Sequence, residues 1–237
     1  MGRLGPVTPV TWLTSVPSTN TALRDALVDN GDCIATLNQT AGRGRLGRDW
    51  IDVPGKGVAV SIGFTEPVTT PTLVPLIAGA AAIDVLRSIA GAAESFWMKW
   101  PNDVYFGDHK LAGILTEMPT AGRIIVGMGV NLAHAEDELP VDTATSLARE
   151  GFDIDPAAFV NEWREAVLDR VDRSNAPSTV DWVNSRLGLR GESVRIDFPD
   201  GSQRVGTVVG VDAAGALLLD SGDAIVAGDI TRLRPAD

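Results

Sequence analysis

Residues 40–50 read "TAGRGRLGRDW", and two folds compete for them. Gly42, Gly44 and Gly47 satisfy the G-x-G-x-x-G spacing of a dinucleotide-binding turn. That turn needs a strand before the glycines and a helix opening directly after them, so that pyrophosphate meets a helix N-terminus. The preceding "DCIATLNQT" (32–40) reads as a strand. The following "RDWIDVPGKGVAVSIG" (48–63) carries Pro54, Gly55 and Gly57 and then returns to a β pattern, which leaves no helix start. The phosphate loop G-x-x-x-x-G-K-[ST] is absent as well. The stretch is therefore predicted as a flexible loop. Its Arg43, Arg45 and Arg48 can offer forked, permanently charged donors to a polyanion, although in isolation a solvated basic loop is the favoured reading of the same residues.

Working outward, "PSTNTALRDALVDNG" (17–31) predicts a short helix, with Ser18 or Thr19 as N-cap, Leu23, Ala26 and Leu27 on its apolar side and Gly31 as its stop. "TPTLVPLIAGAAAIDVLRSIAG" (70–91) predicts a long buried helix, capped at Thr70, with Pro71 first and Gly91 past its end. Pro75, Asp84 and Arg87 argue against a membrane span. "FWMKWPNDVYFGDHKLAGILTEM" (96–118) predicts two or three strands turning at "FGDH", and "GRIIVGMGVNLA" (122–133) another strand. "AHAEDELPVDTATSLARE" (133–150) is acidic and is expected to be a mobile loop. Helices are predicted at 155–173, capped by Asp155, and at 178–188. The helices and strands do not alternate strictly, so the expectation is an α+β fold with a mixed or antiparallel sheet. From about Leu189 onward, short β runs separated by Asp-Gly and Gly turns predict a small terminal module of the SH3-like barrel kind. The expected division is 1–188 and 189–237.

The chain has 237 residues and a formal net charge of -11. That balance disfavours a nucleic-acid-gripping role. The lone Cys33 excludes an internal disulfide and suits a reducing, cytoplasmic setting. "MGRLGPVTPV" contains no signal-peptide run. Lysine stands at only three positions, 56, 99 and 110, among twenty basic residues. In a chain that favours arginine, those positions are candidates for an amine requirement. On "KLAGIL", strict alternation places Lys110 with Ala112 and Ile114 on one face, and Gly113 on the other. Gly113, with Gly127 and Gly129 on the later strand, suggests a floor that another backbone or a ligand approaches closely. Taken singly, each is also readable as a bulge beside a surface lysine.

"STN", "QTAGRGRLGRDW", "KWPND", "KLAGIL" and "GMGVN" together resemble the motifs of biotin protein ligases, in their order and rough spacing, from about Val16 to Asn131. The resemblance implies a class II synthetase-like catalytic domain. It implies formation of biotinyl-5′-AMP from biotin and MgATP, and transfer of biotin to a lysine of a carboxylase's biotin carboxyl carrier domain. By resemblance, Ser18, Thr19, Asn20 and Gln39 take the biotin ring, although Ser18 also reads as a helix cap. Arg43, Gly44 and Arg45 close over the acyl-adenylate. Lys110, beside Gly113, bridges the biotin carboxylate and the α-phosphate. Trp50 stacks on adenine, or is a core tryptophan. Asn102 and Asn131 lie near the nucleotide, and Asp103 acts as base or orienter. Lys99 supports the turn or the phosphates, or is simply exposed. Mg²⁺ comes with ATP, its protein ligands unassigned. His109 and His134, with no partner pattern, are expected at the surface. About seventeen residues precede "STN", too few for the DNA-binding domain of bifunctional members. A monofunctional enzyme is expected, monomeric or weakly dimeric, acting on neither DNA nor membrane. A lipoate- or octanoate-handling relative and a non-catalytic biotin- or nucleotide-binding regulator are the competing readings.

Overall fold

The computed structural model describes residues 9–26, 29–91 and 95–233. Residues 1–8 and Leu27, used above, lie outside them. A seven-stranded mixed sheet forms the scaffold. It consists of β1 (Thr11–Leu13), β2 (Cys33–Thr36), β5 (Gly57–Phe64), β6 (Phe96–Lys99), β7 (Asp103–Phe106), β8 (His109–Thr120) and β9 (Arg123–Asn131), in the order β1-β2-β5-β9-β8-β7-β6. Only β1 and β2 run parallel; the other neighbours are antiparallel. The expected α+β fold with a mixed sheet is present.

One face of the sheet carries α2 (Val74–Ala90), with α3 (Pro156–Val171) and α4 (Pro177–Asn184) packed behind it. Pro71 and Pro75 lack N–H groups, and the chain enters α2 through a 3-10 turn at Pro71–Leu73. Gly91 ends the helix in the left-handed conformation (φ 66). The stretch Pro71–Ala90 is long and apolar enough to cross a membrane, but here it is the central core helix, with Leu76, Ile77, Ile83 and Leu86 almost fully buried. Trp163 of α3 is fully buried and donates its indole N–H to the Ala78 carbonyl at 2.9 Å. Trp163→Ala is therefore expected to destabilise the protein by about 3–5 kcal/mol, through the cavity and the lost partner; chemical denaturation measures it.

The other face is lighter. The short α1 (Thr19–Asp25) packs there, burying Leu23 against Ile125. Ser18 caps it, accepting the Thr21 N–H. The helix stops at Asp25, well before Gly31. Arg123 of β9 donates to the carbonyls of Leu23 and Ala26 at 2.9 and 3.0 Å, so a side chain from the sheet satisfies the helix end. On the same side lies a hairpin of β3 (Gly42–Arg43) and β4 (Asp49–Trp50). The loop expected to be flexible is this hairpin, closed by a tight turn at Arg45–Gly47 in which Leu46 adopts φ 58.

The acidic stretch 133–150, expected to be mobile, is tied across β8. Lys110 N–H donates to Thr143, Thr145 N–H donates to the Lys110 carbonyl, and Ser146 Oγ donates to the His134 carbonyl. Beyond the helices, β10 (Ser193–Asp197), β11 (Gln203–Val211), β12 (Leu217–Leu219), β13 (Ala224–Ile225) and β14 (Asp229–Arg232) form a separate five-stranded antiparallel sheet. Its edge strand β14 reaches the hairpin: Arg48 pairs with Asp229.

Candidate active site

A cavity of about 400 Å³ opens between α1, the hairpin, the ends of β7, β8 and β9, and β14. Its floor is glycine. A Cβ on Gly129 would lie 2.4 Å from Trp50 Cε2, and one on Gly113 would lie 2.9 Å from Trp50 Cζ3. The indole of Trp50 rests on that floor, so the close approach inferred for the glycines is made by a tryptophan of the chain itself. Gly127 does the same for Asn20, whose Oδ1 would sit 2.1 Å from an added Cβ.

Lys110 reaches the cavity through a defect in the sheet. Tyr105 pairs with Lys110 and Val104 with Ala112, so Leu111 has no partner on β7. This β-bulge breaks the alternation and corrects the expected facing. Leu111, Ala112 and Ile114 are buried, whereas Lys110 shares the cavity face with Gly113, its Nζ 3.5 Å from the position of a Gly113 Cβ. The ammonium lies 2.8 Å from Asp103 Oδ1 and 5.8 Å from the Trp50 ring centroid.

Asp103 starts β7 after the turn at Trp100-Pro101-Asn102, whose Trp100–Pro101 peptide is cis. Asn102 donates to the Ile114 carbonyl at 2.8 Å and accepts from Arg45 at 3.2 Å. Arg45 also lies 4.0 Å from Asp229. Lys99 closes this end of the cavity. Burial pushes its ammonium below the ordinary value, with Asp103 working against that. Burial, reinforced by Asp103, pushes the Tyr105 phenol up to about 12.

At the other end is a polar network. Gln39 Oε1 accepts from the Thr19 backbone N–H at 3.0 Å. Ser61 Oγ, fully buried on β5, lies 2.6 Å from Thr19 Oγ1 and 2.6 Å from Asn20 Oδ1. An amide oxygen only accepts, so Ser61 donates to Asn20. Asn20 Nδ2 donates to Glu117 at 2.8 Å, and Arg43 pairs with the same carboxylate at 3.1 Å.

The cavity thus gathers Ser18, Thr19, Asn20, Gln39, Arg43, Gly44, Arg45, Trp50, Asn102, Asp103, Lys110 and Gly113. Asn131 stands apart from its lining, donating to the Thr145 carbonyl at 2.9 Å and so fastening the strap over β8. His109 is exposed, as expected, but His134 is not: it is 3% exposed, beside Asp52. Its apolar neighbours Leu132 and Ala133 gave the only hint of burial. Ser61, Glu117 and Asp229 join the site without having been foreseen. Ser61 occupies a polar position inside the otherwise apolar "GVAVSIGF", and that was the available signal.

The arrangement offers one polar hydrogen-bonding end, one cationic end, and an ammonium–carboxylate pair between them over a flat floor. Known proteins resemble this chain in sequence and in fold. The profile of the biotin/lipoate A/B protein ligase family matches residues 12–131. The chain is 33% identical over 222 residues to the biotin--[acetyl-CoA-carboxylase] ligase of Mycobacterium tuberculosis, covering 86% of this chain and 80% of that protein. It is 30% identical over 226 residues to the bifunctional ligase/repressor BirA of Escherichia coli, covering 89% and 69% respectively. Its fold superimposes on the biotin protein ligase of Aquifex aeolicus, solved in complex with biotin and ATP, with a TM-score of 0.80 and 28% identity over 95% of this chain and 99% of that one. With half of the chain inside the family profile and a 33%-identical relative matched over 80% of its length, the protein belongs to the biotin/lipoate A/B protein ligase family and groups within it with the biotin protein ligases.

Proposed function

We propose that the protein is an ATP-dependent biotin protein ligase, which forms biotinyl-5′-AMP and passes biotin to a lysine of a biotin carboxyl carrier domain of an acyl-CoA carboxylase. The observation that carries this reading is the ammonium of Lys110, paired with Asp103 and set between the amide-rich and arginine-rich ends of one cavity. Its support is the company the chain keeps, relatives named as biotin ligases and a neighbour solved with biotin and ATP.

In this reading Ser18, Thr19, Asn20 and Gln39 hold the ureido ring, with Gly44 of the hairpin and Gly113 beneath Trp50 lining the ligand cavity. Arg43 and Arg45 close over the acyl-adenylate. A biotin carboxylate oxygen attacks the α-phosphorus and pyrophosphate leaves. Lys110 meets the negative charge that builds between the two anions, where a fixed cation lowers the barrier. Trp50 and Asn102 serve the nucleotide, and Asn131 serves it indirectly by holding the strap. The acceptor amine then attacks the activated carbonyl, AMP leaves, and Asp103 orients that amine or takes its proton. The hairpin excludes water from an anhydride that would otherwise hydrolyse. Asp49, Asp103 and Asp229 line the cavity singly, and among the described residues no three metal-type donors gather. That donor set fits a Mg²⁺ carried largely by phosphate oxygens and water.

The finer expectations belong to the same proposal. They are a catalytic domain at 1–188 of the class II synthetase-like kind, and an SH3-like module at 189–237 built on the five-stranded sheet. The enzyme is cytoplasmic, monomeric or weakly dimeric, and does not act on DNA or membranes, which the net charge of -11 supports. The test is biotin-dependent exchange of labelled pyrophosphate into ATP, followed by streptavidin detection of a biotinylated carrier domain. Exchange that answers to octanoate and not to biotin would overturn the reading, as would biotin binding without any exchange.

A further inference from the structure

Behind the polar end of the cavity lies a buried pair that the chemistry above does not use. The Asp52 and His134 side chains are 3% and 2% exposed, with Asp52 Oδ1 4.0 Å from His134 Nε2. Asp52 Oδ2 accepts the backbone N–H of Gln39 at 3.0 Å. Both ring nitrogens of His134 are buried without a hydrogen-bond partner among the described residues, an arrangement that is expensive for an imidazole. Space is so tight that a Cβ on Gly57 would lie 2.6 Å from Asp52 Oδ1 and 3.2 Å from His134 Cε1.

The two residues join two functional segments. Gln39 is held at its backbone by Asp52, while its side chain receives Thr19. His134 opens the strap, and its carbonyl takes the Ser146 hydroxyl at 2.7 Å, next to the residues that bracket Lys110. We infer that Asp52 and His134 form a proton-responsive clasp that positions Gln39 for the ligand ring and ties it to the strap over Lys110. They are positioning residues, and the inference rests on the biotin reading of the cavity. In the neutral state of His134, the Asp52 carboxylate serves Gln39. A proton on Nε2 gives the carboxylate a charged competitor, which draws it from the Gln39 amide.

The other charged groups near the imidazole are Glu138 of the acidic turn and Lys56 before β5, which lie 4.0 Å from each other. Burial holds His134 below its ordinary value, with Asp52 and then Glu138 opposing and Lys56 assisting. Burial raises Asp52, against the pull of the backbone donors and of His134. The signs follow. The unfolded chain takes up the His134 proton first, so stability falls as pH drops below 6.5 toward the lower folded value. Asp52 acts oppositely, because its raised carboxyl is protonated first in the folded state as pH falls toward 3.8.

The chain has only two histidines, so an NMR titration of the full chain resolves the His134 ring signals. His134 is expected to titrate below the ordinary imidazole value, and the Gln39 amide resonance to follow the His134 midpoint. Asp52→Asn keeps an acceptor for Gln39 but removes the charge. In it the His134 midpoint falls further and the Gln39 response disappears. His134→Gln, the second variant, abolishes the same response and flattens the loss of melting temperature between pH 7 and pH 5.5. In the unsubstituted protein, the Kd for biotin rises about tenfold as pH falls through the His134 midpoint read from the titration, the scale of one hydrogen bond to a charged acceptor. A Gln39 amide indifferent to the His134 midpoint, or a biotin Kd that ignores pH, would overturn the clasp. Absence of biotin binding at every pH would instead sink the ligand assignment, and the NMR coupling would still decide the clasp.

Discussion

Lys110→Ala is expected to slow biotin-dependent pyrophosphate exchange by roughly a hundred- to a thousandfold, the usual consequence of deleting one preorganised charge at a reacting centre. The melting temperature should move by only a few degrees. Lys110 stands on the cavity side of the bulge, its side chain 31% exposed, and fills no core volume. Its loss removes the 2.8 Å ion pair of the half-buried Asp103, which keeps Lys99 as a nearby cation, and that accounts for the modest stability change. Lys110→Arg is expected to lose most of the rate as well. The planar guanidinium is broader than an ammonium and would have to fit between Trp50 and Asp103. Exchange kinetics and thermal melts on both variants test this. A protein that unfolds without Lys110, or that keeps its rate, contradicts the assignment.

Gly127→Ala is expected to damage the polar end of the cavity with one added methyl group. Its Cβ would lie 2.1 Å from Asn20 Oδ1, 2.9 Å from Asn20 Cγ and 3.0 Å from Ser61 Oγ. Asn20 cannot simply swing aside. Its oxygen takes Ser61, its nitrogen donates to Glu117 and the Leu115 carbonyl, and it is 3% exposed. Displacing it leaves the fully buried Ser61 with Thr19 Oγ1 as its remaining side-chain partner among the described residues. It also shifts α1, whose Thr19 holds Gln39. Overpacking of this kind destabilises by about 1–3 kcal/mol. Because every displaced atom lines or supports the polar end of the cavity, biotin affinity should fall by more than tenfold, a loss equal to one or two net hydrogen bonds. Calorimetric titration with biotin, set beside titration with ATP, separates this local effect from general unfolding. Equal loss for both ligands would argue against it.

Local signals carried much of this molecule in the sequence. Pro54, Gly55 and Gly57 after the arginine loop removed the dinucleotide fold, and the structure has a hairpin and strand there with no helix. Caps at Ser18, Asp155 and Gly91 marked helix ends that the structure retains. Contacts between distant segments were not legible. Arg123 ends α1 from nearly a hundred residues away, and Asp229 meets Arg48 from across the chain. Nor does period-two reasoning detect a bulge, since the extra residue at Leu111 is visible only once β7 supplies the register. The burial of His134 likewise depends on Asp52 and on the strap folding over it. The glycines of β8 and β9 announced a close approach, but the group that approaches in this structure is Trp50, on a hairpin whose position only the assembled sheet defines.

The central claim is that two anions meet across one ammonium, beneath a hairpin of arginines. A crystal structure of the protein with biotin and a non-hydrolysable ATP analogue tests it most directly. Lys110 Nζ should then leave Asp103 and lie within hydrogen-bonding distance of both the biotin carboxylate and the α-phosphate, with Arg45 released from Asn102 onto phosphate oxygen. A complex in which Lys110 keeps its hold on Asp103, or turns to solvent while both ligands occupy the cavity, contradicts the account.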